Sequence, residues 1–122
     1  MTAFEAIQRA LQSCGYPATQ IPVTGDAPVY VGWQMIVAVP KVASNGIRRI
    51  TTTFQVDVWG RLPIGPELYP VLKALTKNKL VPVRWGPQIY EQDTGWHHLP
   101  VEAQYTEVYD DSADNDDKEI GG

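Results

Sequence analysis

The chain has 122 residues, 43% hydrophobic and 20% charged, the balance of a folded domain rather than a disordered chain and enough for one sizeable core but not two. No apolar run approaches the roughly 18 residues a membrane span needs, and the start, MTAFEAIQRALQ, lacks the basic and apolar segments of a secretory signal, so a cytoplasmic origin is expected. The net charge of −4 is unevenly placed: DDSADNDDKEIGG at the end holds six acids and one lysine, while the rest holds nine bases and eight acids, so no basic field argues for nucleic acid.

Residues 2–14 predict a helix. Phe4, Ile7, Leu11 and Cys14 recur at three- and four-residue spacing, Thr2 and Glu5 suit a capping box, and Gly15 suits a left-handed stop. Cys14, the single cysteine, falls on the apolar side of this pattern. It is expected as a small buried residue rather than a nucleophile, and alone it excludes an internal disulfide and multi-cysteine zinc sites. Residues 15–28 form a proline-rich loop, in which Ile21 and Val23 are candidates for a short edge strand.

Residues 29–42 and 47–60 predict the two arms of a hairpin about Asn45-Gly46, a pair suited to a turn with positive φ. The second arm alternates clearly. Phe54, Val56 and Val58 take one face; Thr53, Gln55, Asp57 and Trp59 take the other. Each arm exceeds the usual strand length, so the turn end, with Ile47, Arg48, Arg49 and Ile50, is expected to extend beyond the core.

A second helix is expected over 67–77, with Leu68, Val71, Leu72 and Leu75 inward; Pro66 suits its start, whereas Pro70 predicts a distorted first turn or a later start. LVPVRWGPQIYEQ (80–92) reads as a third strand broken at Gly86-Pro87, and 96–108 as a fourth. There His97, Leu99, Val101, Ala103 and Tyr105 share one face, and His98, Pro100, Glu102, Gln104 and Thr106 the other. The expected fold class is α+β: an antiparallel or mixed sheet of about four strands with two helices on one face, order α-β-β-α-β-β. Residues 1–109 form the single domain, and 110–122 a flexible acidic tail that can bury little apolar surface.

The chemistry-bearing residues form no recognisable constellation. His97 and His98 are strand neighbours and point to opposite faces, and no spacing suits a zinc site. Convergence of a histidine with Asp57 or Asp93 stays open, as does a small metal-dependent enzyme using His97 or His98 with Asp57. No nucleophile elbow or phosphate loop is present. Arg48, Arg49, Arg61 and Arg84, with Trp33, Trp59 and Trp85, suit either nucleic acid or protein contact. The near-neutral body favours protein.

The segment TTTFQVDVWGR, the proline-containing second helix, and the closing strand GWHHLPVEAQYTEVYDD after a D-x-G turn resemble the tail terminator family of long-tailed bacteriophages, also called tail completion or minor tail proteins. The resemblance covers about residues 2–108 and rests mainly on residues 54–59 and 95–105. The long loop at 15–28 and the acidic tail depart from it. It implies a non-enzymatic virion protein without cofactor or metal, assembled in the host cytoplasm. Such proteins form a ring, usually six-fold, on the head-proximal end of the tail tube. There they stop tube growth and offer the surface that joins the connector or stopper. The implied partners are further copies of the chain, the tube protein and the connector. Arg48, Arg49, Trp59 and Arg61 are the candidate interface residues. A neighbouring neck or head-closure component is the alternative.

Overall fold

A computed structural model describes residues 1–19 and 27–109. The first helix, α1 (Ala3–Gln12), begins as its sequence predicts. The Thr2 hydroxyl accepts from the Glu5 amide at 3.1 Å, and the Glu5 carboxylate accepts from the Thr2 amide at 2.8 Å. These bonds satisfy two donors that a helix start otherwise leaves open. Ala3, Ala6, Ile7, Ala10 and Leu11 are buried. The three alanines let the helix lie close to the sheet, which shifts the buried stripe and leaves Phe4 at its margin. Phe4 is 45% exposed, but its ring still meets those of Trp33 and Phe54, at centroid distances of 6.0 and 5.8 Å. Gly15 has φ +93°, a conformation that costs a residue without Cβ little.

The sheet contains β1 (Ala18–Thr19), β2 (Val29–Ala43), β3 (Gly46–Gly60), β4 (Val81–Trp85), β5 (Ile89–Glu91) and β6 (Trp96–Val108). The strand order is β1-β2-β3-β6-β4, with β5 also on β6. Only β1 and β2 run parallel. The α+β class with a mixed sheet therefore holds, but the expected four strands are six and the order is α-β-β-β-α-β-β-β. The difference has two sources. A two-residue strand is too short to leave a periodic signal. At Gly86-Pro87, a cis peptide with Gly86 at φ +85°, the expected third strand divides. Its halves pair with successive parts of β6, β4 with Val101–Gln104 and β5 with Trp96–His98. The suggested edge strand at Ile21 and Val23 lies outside the described residues; the strand nearby, β1, pairs Ala18 with Val31 and Thr19 with Gly32.

The second helix, α2 (Leu68–Lys77), accommodates Pro70 as its third residue. The missing proline N–H falls in the first turn, where no intrahelical acceptor exists. At the other end, the Leu80 amide donates to Leu75 O at 3.0 Å and the Lys79 amide to Thr76 O at 3.1 Å. This is a Schellman closure, with Lys79 at φ 64° in the place glycine usually takes.

Alternation in β3 settles which sheet face is covered. Phe54, Val56 and Val58 pair with Ala103, Val101 and Leu99 of β6, and Val56 and Val58 with Trp33 and Val31 of β2. These residues join the apolar faces of both helices, Ile64 and Leu80 in one buried cluster. Both helices thus cover the same side. Burial pushes the Cys14 thiol up, as a core position does. At the end of β3, Gly60 is required by close approach: a Cβ there would lie 2.6 Å from Ile64 Cδ1 and 2.9 Å from Leu62 O. No helix among the described residues is long and apolar enough to cross a membrane.

Candidate functional site

The face away from the helices is built by the other half of the alternation. At one end, register aligns Tyr30, Trp59 and His98 across β2, β3 and β6. The rings of Trp59 and His98 stack at 4.1 Å and 4°. His98 Nε2 lies 2.7 Å from Asp57 Oδ1, each side chain being 15% exposed. The same carboxylate oxygen accepts from Gln55 Nε2 at 2.9 Å. Trp96, two residues before His98 and therefore on its face, meets Tyr30 at 4.9 Å. Arg61 lies over the Trp96 ring, 3.8 Å from its centroid, a cation–π contact.

The convergence left open by the sequence is therefore realised for His98 and Asp57, not for His97. His97 faces the helix side and packs on Tyr90 at 4.8 Å. Among the described residues, no group of three or more His, Cys, Asp or Glu side chains is placed to hold a metal ion. What the geometry supplies is a hydrogen-bonded polar patch, stiffened by stacked rings. Asp57, on the polar face of β3 with Gln55, is half-buried and accepts from one neighbour while meeting the other's imidazole.

The other end of the hairpin stands clear of the core. From Gln34 to Val42 every residue of β2 is exposed. Met35, Ile36, Val37, Val39, Val42 and Ile47 are large apolar side chains among them or at the turn. The backbone edge is a poor template for a further strand. β1 reaches only Val31 and Gly32; beyond them come a register shift between Met35 and Val37, then Pro40 and Lys41. Bulges, proline and lysine all protect sheet edges. The arm therefore offers its faces, not its edge.

A second register shift lies between Lys41 and Val42: Lys41 pairs with Arg49 and Val42 with Ile47. Arg48 is thus the inserted residue of a bulge, which breaks the strict alternation expected of the two arginines. Arg48 Nη2 donates to Asn45 Oδ1 at 2.9 Å. Lys41, Arg49 and Val108 are aligned across β2, β3 and β6 on the face away from the helices.

The four sequence-derived interface residues fall into two groups. Trp59 and Arg61 join the aromatic patch; Arg48 and Arg49 sit at the tip of the arm. Arg49 and Trp59 lie on one strand, about 33 Å apart at the usual rise per residue. The sequence reading missed Tyr30 and Trp96. The alternation that paired His98 with Glu102 also carries back to Trp96 and was the available signal. Protein-family models and curated proteins give no match to the chain.

Proposed function

We propose that this protein is a structural ring subunit of a phage tail, a terminator that closes the head-proximal end of the tail tube. The observation that carries the reading is the arm: two long strands whose outer halves leave the core with apolar side chains exposed. A monomer gains nothing by holding such surface in water. A neighbouring subunit covers it, and a ring does so by joining two different patches of each copy head to tail. The sheet face away from the helices supports the same reading. It carries Trp59, Trp96 and Arg61, residue types enriched at protein interfaces. The resemblance of residues 54–59 and 95–105 to tail terminators supplies the place of the ring, between the tube protein and the connector. The role requires no catalysis.

A reconstruction of the intact particle tests this. The expected result is a closed ring of copies, six in the family pattern, seated on the last tube ring. One isolated copy per tail overturns the ring. A ring on the connector with no tube contact assigns the protein to head closure instead.

A further inference from the structure

The corner of the sheet diagonally opposite the arm has exposed apolar surface of its own. Trp85 pairs with Val101 and Tyr90 with His97 of β6, so both rings turn to the helix side, yet each stays 54% exposed. The loop carrying exposed Leu62 is tied to this corner by the Gln88 side chain, which accepts from the Ile64 amide at 2.6 Å and donates to Ile64 O at 3.1 Å. Residues 85–95 hold Glu91 and Asp93 and no lysine or arginine, a net of −2. Of the arginines that flank the corner, Arg84 pairs with Glu102 and Arg61 lies over the Trp96 ring, so neither neutralises this turn. The arm has the opposite sign. Residues 34–53 hold Lys41, Arg48 and Arg49 and no carboxylate, a net of +3. Exposed Val37 and Val39 share the face of Lys41, with Arg49 beside Lys41 on the next strand. Among the described residues, Lys41, Arg49, Glu91 and Asp93 make no ion pair. The two surfaces cannot meet within one subunit: Arg49 pairs with Val108 and Gly60 with His97, and these ends of the ladder lie about 36 Å apart at the usual rise.

We propose that the arm of one copy docks on the Trp85–Tyr90 corner of the next, with Val37 and Val39 against the two rings and Lys41 and Arg49 facing the Glu91–Asp93 turn. The inference rests on the reading of the protein as a ring subunit and names the two patches that the ring joins. Aromatic anchors carry much of the binding energy of an interface. The charges at its edge add little affinity but select the pairing: arm on arm, or corner on corner, sets like charges against each other, whereas arm on corner sets opposite ones together. The contact is therefore head to tail, the kind that a closed ring requires.

The test uses the isolated full chain. Val39→Cys on the arm and Gln92→Cys at the corner replace exposed residues and remove no charge; Cys14 is buried and stays in place. The two variants are mixed at low salt, where charge pairing is least screened, and treated with a short bis-maleimide. The expected result is a mixed arm-to-corner product in excess of the product from either variant alone. Adding K41E/R49E to the Val39→Cys chain should abolish the mixed product. Adding E91K/D93K to its Gln92→Cys partner should then restore it, because opposite signs meet again, and restoration shows that the reversed arm is folded. Arm-to-arm product as abundant as the mixed one, mixed product insensitive to both reversals, or no mixed product overturns the proposal. The particle reconstruction separates this failure from that of the ring: a closed ring with arm and corner apart overturns the pairing alone, and the absence of a ring overturns both.

Discussion

Asp57 and Phe54 are three residues apart on one strand and hold it in different ways. Phe54 is fully buried, with its ring edge against Trp33 at 5.7 Å. Phe54→Ala should cost about 3–5 kcal/mol, the lost transfer energy plus a cavity. Asp57→Ala removes the acceptor of His98 and Gln55 and should cost about 1–3 kcal/mol, the price of leaving half-buried donors unmatched. Denaturant unfolding of both variants checks the order; a larger loss for Asp57→Ala would refute the assignment of the two faces. Lys79 offers the opposite sign. A non-glycine residue at φ 64° carries left-handed strain, and the backbone amide bond to Thr76 O is retained when glycine replaces it. Lys79→Gly should stabilise by roughly 0.5–1 kcal/mol after glycine's own entropy cost, read as a higher midpoint with unchanged slope.

At the scale of elements, the start of α1 should give the protein part of its acid sensitivity. The backbone and hydroxyl hydrogen bonds from Thr2 hold the Glu5 carboxyl below its ordinary value of 4.5. A carboxyl lowered in the folded state stabilises fully above its unfolded value, and that contribution disappears as pH falls through the folded one. Glu5→Gln keeps a capping acceptor but cannot titrate. The variant should therefore show a shallower loss of stability below about pH 4.5 than the parent, and no difference in slope near pH 7. Parallel curves through the acid range would show that the capping box does not contribute to the linkage. The hairpin obeys a different balance. Its inner half is held by packing on the helices, its outer half by the ladder bonds of β2, β3 and β6 and a few exposed side-chain bonds such as Arg48–Asn45 and Thr51–Thr106, so the arm should exchange its amides faster than Val56 or Val58 does.

For the whole molecule, the body and the charged end should separate cleanly in stability. Residues 110–122 lie outside the described residues, and their sequence holds one large aliphatic side chain, Ile120, so their removal is expected to take little apolar packing from the body. A chain ending at Tyr109 should keep its melting temperature; a large drop would place the segment in the core. The arm should separate assembly from folding. Replacing Arg48 and Arg49 by alanine should leave circular dichroism and melting unchanged but impair ring formation or yield tails of abnormal length. Arginine forks make directed bonds to partner carboxylates. Normal particles with normal tails from the double variant would leave these residues as edge protection only.

Much of this architecture was legible before the fold. The Thr2–Glu5 box, the hairpin bend between β2 and β3, and the alternation of β3 and β6 are local patterns, set by neighbours within four residues or by a period of two; the expected turn at Asn45-Gly46 falls one residue earlier, at Ser44-Asn45, because Gly46 pairs with Ala43 and takes the positive φ while Asn45 does not. Such patterns determine the element and its inward face wherever they occur. The sequence also showed that the arms exceed what a small core covers. What only the tertiary structure decided are matters of register and approach. The division of β4 from β5, the displacement of Phe4 by three alanines, and the bulge at Arg48 each depend on a distant strand or helix. The pairing of His98 with Asp57, 41 residues apart, depends on β3 and β6 lying side by side in one register. A carboxylate on an alternating strand reads the same whether it meets water or an imidazole, because its partner comes from a segment that local periodicity does not encode.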